Sequence, residues 1–287
     1  MTTAPDTLPP LRRRSSPAAR RLLIGLGTVL ALLLLVAPLA VIFAEALSKG
    51  LAYYAENIAH PDTLHAIWLT VLTAIVVVPI NIGFGIVAAW AVTKFRFPGK
   101  KLLIALIELP FSVSPIVAGV VYILLYGANG LLGPYLAEHD IRLMFSVPAI
   151  FLVSLFVTSP FVAREVIPLM QAQGSEEEEA AVSLGAGFWQ LFFRVTLPNI
   201  KWALLYGAVL CNARVMGEFG AVSVVSGNVR GETNTLPLHV ELLYHDYNAV
   251  GAFAAATTLT VLALVTIGLK TLIEARGGGE GKAGARH

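Results

Sequence analysis

The sequence has few of the residues on which most soluble enzymes depend. Only 13% of its 287 residues are charged, and Cys211 is its single cysteine. One cysteine excludes an intrachain disulfide and a cysteine-based metal cluster. The six histidines show no ligand spacing, so we expect no metal site. Gly281-Lys282 lacks the first glycine and the hydroxyl residue of a phosphate-binding loop, so we expect no bound cofactor and no ATP hydrolysis by this chain.

Apolar residues take the place of these groups. They make up 56% of the chain and give it a mean hydropathy of +0.75, which is typical of an all-α polytopic membrane protein. A helix needs roughly 20 apolar residues to cross the hydrocarbon of a bilayer. We therefore predict one membrane domain, 22–274, with six transmembrane helices at 22–44, 66–92, 102–126, 144–163, 202–226 and 249–273.

The distribution of basic residues predicts the orientation of these helices. With the N-terminus in the cytoplasm, only Lys49, Arg142 and Arg230 lie outside, and Arg214 lies within a span. Loops rich in Lys and Arg stay on the cytoplasmic side, so we expect both termini and the long loop 164–201 there.

The two ends of the chain differ in composition from the membrane domain. Residues 1–21 are rich in Pro, Arg and Ser, residues 275–287 are rich in Gly, and we predict that both are disordered cytoplasmic tails. The first apolar run exceeds the roughly 7 to 15 residues of a signal-peptide core, so we interpret it as an uncleaved span.

The loop 164–201 carries the most specific pattern in the chain. Ser175 and Glu178 have the spacing of a capping box, which predicts a helix that begins after Ser175. Phe188 to Phe193 form an apolar and aromatic patch that needs a cover, either a partner protein or the membrane interface. The patterned residues of the loop are Glu179, Ala180, Ala181, Gly185, Val195, Leu197 and Pro198.

This pattern resembles the E-A-A loop of ABC importer permeases, which reads E-A-A, three residues, G, nine residues, I, one residue, L-P. Val195 replaces the isoleucine. In that family the loop forms a short coupling helix that docks into the ATP-hydrolysing subunit. The resemblance therefore implies a coupling role for the seven patterned residues, and we expect Gly185 to permit close approach to the ATPase.

A charged pair lies within the predicted fifth span. Arg214 and Glu218 are four residues apart, so we expect them to share one helical face near the bilayer centre. An unpaired charge there costs on the order of 2.5 to 3.5 kcal/mol, which predicts that the pair faces the protein interior or a water-filled path. Two roles stay open: a substrate pathway or gate, and a salt bridge that only locks helix packing.

Prolines are expected to interrupt two of the spans. Pro110 and Pro115 lie in the third span, and Pro79 with Asn81 lies in the second. Such breaks occur in membrane helices where neighbouring helices or a cavity satisfy the freed backbone groups. They indicate a bundle that lines a pathway, although kinked helices without a pathway remain an alternative.

The substrate is implied by resemblance alone. Residues 212–227 resemble the sulfate and molybdate branch of importer permeases, and residues 65–71, 198–207 and 230–233 are similar to its sulfate/thiosulfate subunits. The resemblance covers about residues 22–274. It implies a non-enzymatic permease subunit of the bacterial inner membrane that imports sulfate or thiosulfate by alternating access, or, as the alternative, molybdate or tungstate.

The same resemblance implies the partners. They are a sister permease subunit, two copies of an ATPase that uses ATP and Mg, a periplasmic sulfate/thiosulfate-binding protein and membrane lipid, with no nucleic acid. A membrane enzyme would need paired Asp, or Ser with His, inside the spans. No Asp lies within any predicted span.

Overall fold

The computed structural model describes residues 17–277, and within them every regular element is helical. Residues 1–16 and 278–287, the outer parts of the two predicted tails, lie outside the described residues. Residues 17–21 and 275–277 belong to helices instead of tails. The helices are α1 (Pro17–Ala31), α2 (Ala37–Ala46), α3 (Leu51–Ala59), α4 (Pro61–Lys94), α5 (Lys100–Ser112), α6 (Pro115–Tyr126), α7 (Gly133–Glu138), α8 (Val147–Gln173), α9 (Glu176–Ser183), α10 (Phe188–Leu191), α11 (Leu197–Met216), α12 (Gly220–Val225), α13 (Leu236–His245) and α14 (Ala249–Gly277).

Four helical segments are long and apolar enough to cross a membrane: Arg20–Ala46, Pro61–Lys94, Val147–Gln173 and Ala249–Leu272. The pair α5 and α6 adds a fifth if the two are counted as one broken span. In the most apolar window of Arg20–Ala46 no residue is buried within the chain, so this helix needs lipid or a partner as its cover.

Prolines fix where many of these helices begin. Pro61 and Pro115 occupy the first positions of α4 and α6. An N–H at this position has no partner within the helix, so its loss in proline costs no helical hydrogen bond. Pro38 and Pro198 each follow a single π turn, Leu32–Val36 before α2 and Phe192–Thr196 before α11. Each proline removes one helical donor, and the wider turn accommodates that loss.

The predicted interruption of the second span is wrong. Helix α4 runs without a break from Pro61 to Lys94 and contains Pro79 in its interior. Buried Asn81 donates from Nδ2 to Thr158 Oγ1 on α8 at 2.7 Å, so its amide ties two helices together and does not end one.

The predicted third and fifth spans each consist of two helices. α5 and α6 meet at an angle of 110° around Val113 and Ser114, as the prolines predict. The predicted continuous helix at 202–226 is wrong, because α11 ends at Met216 and α12 begins at Gly220. Gly217 N–H donates to Ala213 O, which closes the last turn of α11.

The core lies between α4, α8 and α11. Its fully buried members include Val77, Val162 and Cys211, one from each helix. α4 approaches α8 closely at Gly85, where a Cβ atom would lie 2.5 Å from Val162 Cγ1. A second buried cluster joins α6, α8 and α12, and it holds the two short helices that follow the breaks against the centre of the bundle.

Candidate coupling site and intramembrane ion pair

Helix α9 contains Glu179, Ala180 and Ala181 and ends in a glycine-dependent turn. Gly185 has φ +85°. Its N–H donates to Val182 O at 2.9 Å, and the N–H of Ala186 donates to Ala181 O at 3.0 Å. These two bonds form a Schellman motif, which requires the left-handed conformation that glycine adopts without strain. No atom lies within 4 Å of a Cβ built on Gly185, so its requirement within this chain is conformational.

The predicted capping box at the start of α9 does not form. Ser175 makes no side-chain cap, and its hydroxyl donates to the carboxylate of Glu179. Glu178 points away from this turn to other partners, described next. The first turn still carries four glutamates, 176–179, whose negative charge complements the positive end of the helix dipole.

An ion pair attaches α9 to the end of α4. Lys94 Nζ lies 2.8 Å from Glu178 Oε2, and the two side chains are only 14% and 16% exposed. The other oxygen of Glu178 accepts a hydrogen bond from Thr196 Oγ1 at 2.8 Å, and Lys94 also donates to Gly174 O at 2.6 Å. We call Lys94, Glu178 and Thr196 the latch, because their bonds join α4, α9 and the π turn before α11.

Two amides reinforce the latch. Asn199, in the first turn of α11, donates to the carboxylate of Glu177. Gln173, at the end of α8, donates to Asn199 O at 3.0 Å. The beginning of α9 is therefore bonded directly to the end of α4 and the beginning of α11, and through Asn199 to the end of α8. A cavity of about 930 Å³, lined by Lys94 and Glu178 of the latch, extends to Arg96 and Lys100 of the α4–α5 connection.

Helix α9 presents apolar residues to its surroundings at its far end. Leu184 is 89% exposed, and Val182 is also exposed. The helix is thus bonded at its beginning and leaves apolar side chains exposed at its end. The E-A-A pattern assigns no role to Leu184 or Val182, and nothing in the surrounding sequence predicts that they are exposed.

The aromatic patch after Gly187 packs against α4. Phe188 and Phe192 stack on Trp90, with ring centroids at 5.5 and 5.4 Å. Trp189 and Phe193 stack on each other at 5.9 Å and remain exposed. Phe192 is half-buried against Trp90, whereas Phe188 is still 61% exposed, so α4 covers only part of the patch.

The last three patterned residues lie where the π turn joins α11. Val195 is in the π turn, Leu197 begins α11 and packs against the central core, and Pro198 occupies the second position of the helix. Leu197 N–H donates to Phe192 O, the bond that closes the π turn. These residues therefore shape the connection between the aromatic patch and α11.

Arg214 and Glu218 do form an ion pair, but across a helix end. Arg214 Nη1 lies 2.7 Å from Glu218 Oε2, with the side chains 32% and 1% exposed. Arg214 belongs to the last turn of α11, where a cation complements the helix dipole. Glu218 Oε1 accepts a hydrogen bond from Ala221 N at 2.9 Å, so this carboxylate bridges α11 and α12.

The breaks in the third and fifth predicted spans meet each other. A Cβ atom on Gly220 would lie 3.1 Å from Pro115 Cβ, and one on Gly119 would lie 2.9 Å from Ala221 O. The beginnings of α6 and α12 are therefore adjacent, close to Glu218. Helix beginnings carry partial positive charge, and Arg214 adds a full one.

Sequence reasoning missed the residues that hold the site together. Lys94, Thr196 and Asn199 lie outside the recognised pattern, and their partners are far away in the chain. Thr196 lies between the patterned residues Val195 and Leu197, and this position was the only sequence signal for any of the three residues. Among residues 17–277 no group of three or more His, Cys, Asp or Glu side chains is placed to hold a metal ion.

The chain is similar in sequence to sulfate transport system permeases. The chain is 58% identical over 254 residues to the sulfate transport system permease protein CysW of Escherichia coli (strain K12), covering 88% of this chain and 87% of that protein. It is 38% identical over 256 residues to the sulfate transport system permease protein CysT of the same strain, covering 86% and 92%.

A solved structure shares the fold. It is the bacterial alginate ABC transporter in complex with an alginate pentasaccharide-bound periplasmic protein, with TM-score 0.74 at 16% identity over 90% of this chain and 94% of that chain. Residues 81–277 match the family described as binding-protein-dependent transport system inner membrane component. This match covers the latch, the coupling pattern and the ion pair of Arg214 and Glu218, and the chain belongs to this family.

Proposed function

We propose that this chain is the membrane-spanning permease subunit of an ATP-driven importer of sulfate, and also of thiosulfate. The observation that carries the proposal is the 58% identity, over 88% of the chain, to a sulfate transport system permease. The absence of a phosphate-binding loop from the sequence agrees with a transporter in which a separate chain hydrolyses ATP.

In this proposal the chain crosses the bacterial inner membrane six times, with both termini in the cytoplasm. The six spans are the four long helices, the bent pair α5–α6, and α11 continued by α12. Trp68 and Trp90 lie about 33 Å apart along α4 at 1.5 Å per residue, close to the thickness of bilayer hydrocarbon. Tryptophans favour the two membrane interfaces, so this spacing supports α4 as a full span.

Helix α9 is the proposed coupling helix. Its exposed end, with Leu184, docks into the ATPase, and its bonded beginning moves with the latch. When ATP binding closes the ATPase dimer, displacement of α9 pulls on Lys94 of α4 and, through Thr196 and Asn199, on the start of α11. Both helices reach the bilayer centre, so cytoplasmic movement is converted into opening toward the periplasmic side. This is alternating access.

Arg214 is the proposed fixed positive charge near the anion path. It is partly exposed, and the beginnings of α6 and α12 lie close to its partner Glu218. Together they raise the local potential for a dianion. Glu218 repels sulfate, so its role is to hold Arg214 in place and to satisfy the start of α12.

The proposed complex contains two permease subunits, two ATPases and a periplasmic binding protein. Similarity to both CysW and CysT supports a sister permease of the same branch as the partner. The alginate transporter of the same fold is described in complex with a periplasmic protein, which supports delivery of the anion from such a protein.

Radiolabelled sulfate uptake by vesicles containing the assembled complex tests this function. We expect uptake that requires ATP inside and the binding protein outside, and competition by thiosulfate. Stronger competition by molybdate or tungstate than by thiosulfate would move the assignment to the other anions of the branch. Uptake without ATP would contradict the importer and indicate a channel.

A further inference from the structure

The segment Phe188–Thr196, which comprises α10 and the π turn and which we call the aromatic segment, packs against the end of α4. Its last residue, Thr196, belongs to the latch and bonds Glu178 beside Lys94. Phe188 and Phe192 stack on Trp90, which precedes Lys94 by about one helical turn. The rings of the aromatic segment therefore lie at the level of Trp90 in α4.

Its uncovered side is aromatic. Phe188 and Phe192 face Trp90, while Trp189 and Phe193, each one residue later, project to a different side of the segment. Trp189 is 68% exposed and Phe193 is 57% exposed, and Phe188 also keeps 61% of its surface exposed beside Trp90. Two exposed rings at the depth of an interfacial tryptophan match the position that aromatic side chains prefer between headgroups and acyl chains.

One cation adjoins these rings in the chain. Arg194 follows Phe193 directly and is exposed. Among the residues that the structure describes, no carboxylate lies within salt-bridge distance of Arg194. The segment thus combines an apolar aromatic face with an adjacent positive charge, the pattern of a helix that lies in a membrane interface.

We propose that the aromatic segment is an interfacial anchor that binds an anionic phospholipid of the cytoplasmic leaflet. Trp189 and Phe193 lie among the upper acyl chains, and Arg194 binds the lipid phosphate. The inference rests on the proposed orientation, which places this end of the bundle in the cytoplasm. Gly185 and Gly187 separate the anchor from the exposed end of α9, so one loop offers one surface to lipid and another to the ATPase.

Photo-crosslinking in membranes tests the occupant directly. A benzophenone amino acid replaces Phe193 in the full complex, and the same probe replaces Leu184 in a parallel sample. We expect phospholipid adducts at position 193, identified by mass spectrometry, and ATPase adducts at position 184. Adducts of position 193 to the sister permease or to the ATPase would overturn the anchor. Lipid adducts at 193 without ATPase adducts at 184 would leave the anchor standing and contradict the proposed coupling.

The charge dependence is tested in vesicles of phosphatidylcholine with increasing phosphatidylglycerol. We expect Arg194→Gln to raise the phosphatidylglycerol fraction needed for half-maximal sulfate uptake about fivefold, the factor expected for one interfacial cation. Lys101→Gln removes another exposed cation from the cytoplasmic end of the chain, outside the aromatic segment, and should shift this fraction much less. Equal shifts for the two variants, or none for Arg194→Gln, would show that Arg194 binds no particular lipid and would overturn this part of the proposal.

Discussion

The coupling region around α9 and the break region between α11 and α12 each depend on one ion pair and one glycine, used in opposite ways. In the coupling region, Lys94 and Glu178 join elements that are distant in the chain. In the break region, Arg214 and Glu218 are four residues apart and bridge two successive helices. The first pair connects separate elements, which suits it to the proposed transmission of movement, and the second holds a local geometry.

The glycines of the two regions, Gly185 and Gly220, also serve different purposes. Gly185 is needed for its φ of +85° and has open space around it. Gly220 is needed for space, because a Cβ atom would come within 3.1 Å of Pro115 Cβ. The coupling region is thus determined by backbone conformation and leaves its outer surface to a partner. The break region is determined by packing within the chain.

The largest expected effect comes from removing the carboxylate of each ion pair in turn, which distinguishes the two pairs. Glu218→Ala leaves Arg214 unpaired within the membrane, which costs about 3 to 5 kcal/mol and should reduce the amount of assembled complex more than tenfold. Glu178→Ala leaves Lys94 at a helix end where it can reach water, at a cost of about 1 kcal/mol.

Quantification of assembled complex in detergent extracts measures both losses. Equal losses for the two variants would contradict the difference in position on which this comparison rests, with Arg214 inside a proposed span and Lys94 at a helix end. A larger loss for Glu178→Ala would show that the latch, and not the break region, determines assembly.

The next effect concerns the two glycines that flank the turn after α9. Gly185→Val forces a β-branched residue into a positive φ, a strain of about 1 to 3 kcal/mol, so the Schellman turn should open. We expect the protein to insert in the membrane but sulfate uptake to fall below about a tenth, with weaker ATPase association. Gly187→Val is the matched control, because Gly187 has φ −74° and no atom within 4 Å of an added Cβ. Normal uptake by the inserted Gly185→Val protein would contradict the coupling role.

The sequence predicts local features of the molecule well. Apolar runs predict an all-helical membrane protein, and the family resemblance is confirmed by the relatives and by the matching fold. Pro115 predicts the break before α6. The number of six spans and the roles of the patterned residues stay predictions.

Features that depend on distant contacts were missed or mistaken. Glu178 has the spacing of a capping box, but its carboxylate forms an ion pair with Lys94 of a different helix instead. Pro79 suggests an interruption of α4, yet packing on α8 keeps that helix continuous. The apolar run 202–226 predicts one helix, yet α11 ends at Met216 and α12 packs separately against α6. Local propensity is a weak constraint where tertiary packing opposes it.

Removal of both charges from the break region tests whether its ion pair is only structural. Arg214→Met with Glu218→Leu leaves no unpaired charge, so assembly should recover relative to Glu218→Ala. Uptake per assembled complex should stay about fivefold below the parent, since one fixed cation near an anion contributes on the order of 1 kcal/mol. Arg214→Lys keeps the charge and should keep part of the uptake. Near-parental uptake by the double variant would eliminate the pathway role of Arg214.

The smallest expected effect tests whether the latch acts as a unit. Thr196→Val removes the hydrogen bond to Glu178 with little change in shape, at a cost of about 0.5 kcal/mol, the lower end for a hydrogen bond, because Glu178 keeps its ion pair with Lys94. We expect sulfate uptake to fall about two- to threefold with insertion unchanged.

Thr93→Val is the control, because the Thr93 hydroxyl donates to Ala89 O of its own helix at 2.7 Å and makes a longer contact with Met170 Sδ of α8 at 3.9 Å, both outside α9. Adding Thr196→Val to a Glu178→Gln variant should cost less than it does in the parent, since the bond is already weakened. Two residues that share one bond are coupled in a double-mutant cycle, whereas independent residues add. Additive losses in uptake would therefore mean that Thr196 and Glu178 act separately, and the π turn before α11 would then have to follow α9 through Asn199 and Glu177 alone.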